Sequence, residues 1–137
     1  MSASSSPRLP FTTGQLATLI VSGWIFWFVG AIICRVVGDM GWFDGPARLI
    51  VYAALIPGTL PVVLLVRRLA KLDGQHVALG IAIVTAAAIM LDGIALAWFP
   101  ALYGPGVTQT AASGAVILWG GFVAIALACW FNRVPPQ

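Results

Sequence analysis

The chain has 137 residues, of which 61 % are hydrophobic and 8 % charged, and its net charge is +3. A soluble domain carries roughly 25 % charged residues, and a fold of this size has too much surface to cover with so few, so lipid rather than water is expected to surround it. Seven basic residues do not make a nucleic-acid footprint. The expected partners are membrane lipids and a second copy or another membrane protein, with no nucleic acid.

Residues 1–11 are Ser- and Pro-rich and are expected to form a disordered tail. The n-region before the first apolar stretch holds only Arg8, and the stretch from Leu16 to Cys34 is longer than the ~7–15 residues of a signal sequence. No small-x-small cleavage site closes it. It therefore reads as a retained first helix over about 14–37, capped by Thr12 or Thr13.

A short polar turn with Asp39, Trp42 and Asp44 follows. A second helix then starts at Pro46, a good first-turn residue, and runs over about 46–66. It contains Pro57 and Pro61 in the run IPGTLP. Each proline removes a backbone donor and crowds the carbonyl one turn back, so a kink or local break near mid-membrane is expected.

The segment RRLAKLDGQH (Arg67–His76) is the longest polar stretch in the middle of the chain. A third helix over about 77–99 and a Pro/Gly-containing loop, PALYGPGVTQTAAS, come next. A fourth helix over about 114–131 leads to a short tail at 133–137. At 1.5 Å rise per residue, segments of this length match a hydrocarbon core of ~30 Å. The tilted ~10-residue alternation of a β-barrel is absent from the pattern. Short connections then give one all-α domain over 12–132, an up-down-up-down bundle of four transmembrane helices.

Orientation follows from the basic residues. Arg8, Arg67, Arg68, Lys71 and Arg133 fall on one side and Arg35 and Arg48 on the other, which places both termini in the cytoplasm of a cell whose inner membrane the chain spans. Trp42, Trp98 and Trp130 fall near the interfaces, where indole rings are favoured. Rows of small residues at four-residue spacing (Gly30, Cys34 and Gly38; Ala78, Ala82 and Ala86; Gly120, Ala124 and Ala128) allow close helix contact in lipid. They serve packing within the chain or, alternatively, a homodimer face. Cys34 and Cys129 map near opposite faces, too far apart to bridge.

Asp92 is the most informative residue, two-thirds along the third helix. A carboxylate at that depth costs ~2.5–3.5 kcal/mol on insertion scales, so it should face the interior and have a partner. Arg35 is the expected one. It stands about one turn below the end of the first helix, so its vertical offset from Asp92 is about 5 Å, within reach of a guanidinium. Asp39 and Asp44 extend this network, and Trp98 and Tyr103 roof it. Such a pair is either a structural clamp or a proton, ion or ligand site.

No catalytic set is evident. The single histidine, His76, cannot ligate haem as a pair, no His/Cys cluster suits zinc, and no Gly-rich phosphate loop follows a strand. No cofactor or metal is expected.

The run GWIFWFVGAIICRVVG in the first helix resembles the opening of a family of uncharacterised bacterial four-helix membrane proteins, domain-of-unknown-function family 5367. The run MLDGIALAWFPALYG is similar to that family's second signature, an intramembrane Asp followed by Phe-Pro and an aromatic residue, and Trp119 also fits. The resemblance spans about 15–128. It implies that Arg35, Gly38, Asp92, Phe99, Pro100 and Trp119 are shared positions, and it implies no particular activity.

Three functions are then open. The first is a non-enzymatic membrane component, either an accessory or partner subunit or a ligand-binding bundle. The second is a small proton-coupled exporter using Asp92, with the Pro57/Pro61 break supplying motion. The third is a membrane enzyme acting on a lipid or quinone. It is weakest, because one acid and one permanently charged partner offer little acid–base range.

Overall fold

The computed structural model describes residues 8–133. Four helices account for most of them: α1 (Thr13–Asp39), α2 (Ala47–Leu69), α3 (Val77–Trp98) and α4 (Val107–Phe131), with a single 3-10 turn at Pro100–Leu102. All four are long and apolar enough to cross a membrane, and no strand occurs among the described residues. The chain is an all-helical, multi-pass membrane bundle. Large apolar side chains cover its outside, including Leu49, Leu118, Phe122, Ile25 and Phe28, each more than half exposed. In water that surface would be an aggregation liability. In lipid it costs nothing.

The helices differ from the sequence expectation mainly in length. The fourth begins at Val107 rather than near 114, because the segment VTQTAAS is helical although its polar residues lower the local hydropathy. The expected tails at 1–11 and 133–137 fall mostly outside the described residues. The α2 helix is unbroken from Ala47 to Leu69 through both prolines. Pro57 and Pro61 are exposed on its outer face, and neither interrupts the helix.

Up-down-up-down order follows from the ties at the two ends. At the basic end, which carries Arg67, Arg68, Lys71 and Arg133, the start of α1 meets the end of α2 and the start of α3 meets the end of α4. Gln15 completes a capping box with Thr12, donating from its backbone to the threonine hydroxyl at 3.2 Å and accepting from the Thr12 backbone at 3.0 Å. The same side-chain amide donates to the Ala70 carbonyl at 3.0 Å, fastening α1 to α2. Asn132 accepts from the Ala78 backbone at 3.0 Å, and the Arg133 backbone donates to Gly74 at 2.5 Å, fastening α3 to α4.

Around the bundle the order is α1, α3, α4, α2. The parallel pair α1 and α3 has the most extensive interface, α3 also packs on α4, and α2 rests chiefly on α4. Two apolar clusters fill the interior. One, near the basic end, is built on Leu19, Val63, Val66, Val77 and Ile81. The other, at the opposite end, is built on Ala31, Cys34, Phe43, Ala95, Tyr103 and Val116. Cys34 is buried and Cys129 exposed, and both are free.

Close approach of α1 and α3 depends on Gly23, which belongs to none of the small-residue rows at four-residue spacing. A Cβ there would lie 2.5 Å from the Val84 carbonyl oxygen and 2.8 Å from the Ala87 Cβ. At Gly30 and Gly120, members of those rows, a Cβ would meet nothing within 4 Å. Gly23→Val should therefore push the two helices apart and destabilise the bundle by about 1–3 kcal/mol, whereas Gly30→Ala should be neutral or slightly stabilising. Thermal melts in detergent compare the two, and equal melts would show that the α1–α3 contact is not set by Gly23.

Before α3, Asp73 forms a local turn. Its Oδ1 accepts from the Gln75 and His76 backbones at 3.0 and 3.1 Å and lies 2.7 Å from His76 Nδ1. Partial desolvation opposes ionisation, but the His76 ring and these N–H donors outweigh it and hold the Asp73 carboxyl below its ordinary range. With the folded value depressed, the stabilisation is present above the ordinary carboxylate range, about pH 4, and is lost as pH falls through the folded value. The Gln75 and His76 amide signals should titrate with a midpoint below that of a free aspartate, and a midpoint at the free value would show that the turn does not form.

Candidate functional site

The polar groups inside the bundle gather at the end opposite the basic one, where the chain leaving α3 doubles back. After Trp98, the Phe99 amide still bonds to Ala95, and the turn at Pro100–Leu102 then redirects the backbone inward. This plants Tyr103 in the interior with no exposed surface. From there its hydroxyl donates to Asp92 Oδ1 at 2.5 Å and accepts from Trp27 Nε1 at 3.1 Å. The direction is fixed by chemistry. An indole N–H can only donate, so the tyrosine proton must point at the carboxyl. Burial, together with the neighbouring Asp92, pushes the Tyr103 phenol above its ordinary range, so it stays protonated and remains a donor.

Asp92 is 6 % exposed, and Tyr103 supplies the partner that burial demands. The ion pair expected between Arg35 and Asp92 does not form. Arg35 Nε instead bonds Asp39 Oδ2 at 2.9 Å, one turn on along α1, and its terminal amino group donates to the Ala101 carbonyl at 2.5 Å. The reason is solvation. The side chains of Arg35 and Asp39 are 43 % and 45 % exposed, so an adjacent acid at the polar surface satisfies the guanidinium without bringing it into hydrocarbon. Trp98 does not roof the site, being 71 % exposed. Asp44 takes no part in the network around Arg35.

Three contributors escape sequence reasoning. Trp27 reads as one more apolar aromatic, and only its N–H, aimed at a phenol from another segment, gives it a role. Gln109 falls in a segment that reads as a loop. It lies in the first turn of α4, and its amide nitrogen faces three oxygens: Asp39 Oδ1 at 3.0 Å, the Tyr103 carbonyl at 3.1 Å and the Arg35 carbonyl at 3.5 Å. Two amide protons serve the two shorter contacts, pinning the α1 terminus and the Tyr103 loop to α4. Gly38 and Gly104 flank this amide so closely that a Cβ on either would collide with it. Gly38 thus accommodates a side chain instead of an approaching helix. The third is Ser113, one turn beyond Gln109 and fully buried, whose hydroxyl has no partner among the described residues.

Two cavities open at this end. A groove of about 620 Å³ runs between the Pro100–Gly106 loop and α4, floored by Leu96, Ala111 and Gly114. A smaller one of about 210 Å³ lies between the α1–α2 turn, α2 and α4. Neither is lined by Asp92. Pro57 and Pro61 line neither. Among the described residues no group of three or more His, Cys, Asp or Glu side chains could hold a metal ion. The chain matches no family model, no curated protein and no solved structure.

Removing the Tyr103 hydroxyl should expose how much the site depends on it. Tyr103→Phe leaves a buried carboxyl and an indole N–H both unpartnered, and should destabilise the bundle by about 1–2 kcal/mol. Asp92→Asn keeps an oxygen to accept the phenol proton and should cost clearly less. Melting curves in detergent would read the difference, and equal losses would refute donation from the Tyr103 hydroxyl to residue 92.

Proposed function

We propose that the protein is a non-enzymatic component of the membrane, an accessory subunit that meets a partner membrane protein or a second copy of itself. The observation that carries this reading is the closure of the intramembrane carboxyl. Asp92 is engaged by Tyr103, itself held by Trp27, and lines neither cavity. The polar groups around it fasten helices to a loop. This is the arrangement expected of a rigid element offering its outer surface to others.

The exporter reading needs Asp92 on a route for protons or substrate, and the enzyme reading needs Asp92 and Arg35 together at one place. The bonding of Asp92 to Tyr103 and of Arg35 to Asp39 favours neither. The grouping of Arg67, Arg68, Lys71 and Arg133 at the end where α2 and α4 finish, against Arg35 and Arg48 at the other, supports an inner-membrane protein with both termini in the cytoplasm. The resemblance to domain-of-unknown-function family 5367 adds that the membrane is bacterial.

Purification in a mild detergent followed by native mass spectrometry should recover the chain with a stoichiometric companion or as a homodimer. A partner-free monomer would overturn the subunit reading. In reconstituted vesicles, Asp92→Asn should leave proton-driven flux unchanged, and a pH-dependent flux abolished by that substitution would reinstate the exporter.

A further inference from the structure

The smaller cavity is lined by two exposed, opposite charges that form no ion pair. Asp44 and Arg48 both line it, yet they form no ion pair with one another, and the Asp44 carboxylate has no hydrogen-bond donor among the described residues. Arg48 is nonetheless fixed. Its Nε donates to the Phe43 carbonyl at 2.7 Å, which sets the plane of the guanidinium and leaves its two terminal amino groups without a partner among the described residues. Tyr52 and Thr108 also line this cavity, and Phe43 and Val116 give it an apolar wall. Phe43 is buried, and the Tyr52 ring is braced by Trp119 at a centroid distance of 5.6 Å, with the indole N–H bonded to the Tyr52 carbonyl at 3.0 Å. The walls are thus held by packing on both sides.

We infer that this cavity is a binding site for a zwitterionic phospholipid headgroup of the phosphoethanolamine type. A planar guanidinium with two free amino groups matches the paired oxygens of a phosphodiester. A neighbouring carboxylate matches a primary ammonium, which can donate hydrogen bonds where a quaternary one cannot. Unpaired plus and minus charges lining one cavity complement a ligand carrying both. The apolar wall and the position at the end of the transmembrane helices assign the headgroup to a lipid rather than to a free metabolite, its acyl chains following the apolar surface of α4. The site is separate from the Asp92–Tyr103 pair and does not depend on the subunit reading.

Native mass spectrometry of the protein in nanodiscs made from equal parts phosphatidylethanolamine, phosphatidylglycerol and phosphatidylcholine tests the assignment. Phosphatidylethanolamine should be retained over each of the others by about threefold or more, the scale of one or two partly exposed charge contacts. Asp44→Asn, whose side chain makes no contact that the fold needs, should bring phosphatidylethanolamine and phosphatidylglycerol to parity. Arg48→Gln should lower retention of all three lipids, with Arg48→Lys recovering part of it, and circular dichroism checks that each variant is folded. Equal retention by the unaltered protein, or an undiminished preference in Asp44→Asn, would overturn the proposal. So would displacement of the bound lipid by free O-phosphoethanolamine at the same concentration as the lipid itself, since the acyl chains would then contribute nothing.

Discussion

Hydrocarbon offers no hydrogen bonds, so a carboxyl two turns below the end of a membrane helix must be met from within the protein. Tyr103 meets it, and much of the architecture at that end can be traced to the requirement. The chain leaving α3 cannot run straight out to water. It turns at Pro100–Leu102 and carries a phenol back into the bundle. The loop so formed must then be held down, which Gln109 and Arg35 do through the Tyr103 and Ala101 carbonyls. Gly38 and Gly104 leave room for the Gln109 amide. Asp39 completes the set by accepting from both Arg35 and Gln109. One buried acid thus organises the end of three helices and the connection between two of them.

The two ends solve different problems. At the basic end the helices are tied by backbone and amide contacts, Gln15 to Ala70 and Asn132 to Ala78, with no buried charge to satisfy. At the other end a charged or chargeable group lies inside and the ties are side-chain networks. Such networks are costly when incomplete and specific when complete. They define which helices are neighbours more sharply than apolar packing can in lipid, where leucine is as comfortable outside the bundle as in it.

The helices are legible in the sequence because a span must be about 20 apolar residues long and internally hydrogen-bonded, and four such runs are plain. The depth of Asp92 is legible for the same reason, as is its need for a partner. The partner's identity is not. Arg35 lies at a plausible height on a parallel helix, but height says nothing of the cheaper bond to Asp39, four residues on along its own helix. Tyr103 stands in a segment that reads as an external loop, and nothing in its composition signals that the backbone re-enters the bundle. Gln109 is hidden by hydropathy, since a polar first turn of a membrane helix reads as loop until its hydrogen bonds are known. Pro57 and Pro61 mislead in the opposite sense. Their local chemistry suggests a break, but α2 continues through both with the rings turned outward.

The circular order of the helices bears on synthesis. Because α2 lies chiefly against α4 and only sparsely against α1 or α3, α2 has little to dock on until α4, two helices later in the chain, arrives. A chain lacking α4 would leave α2 with little to pack against but lipid.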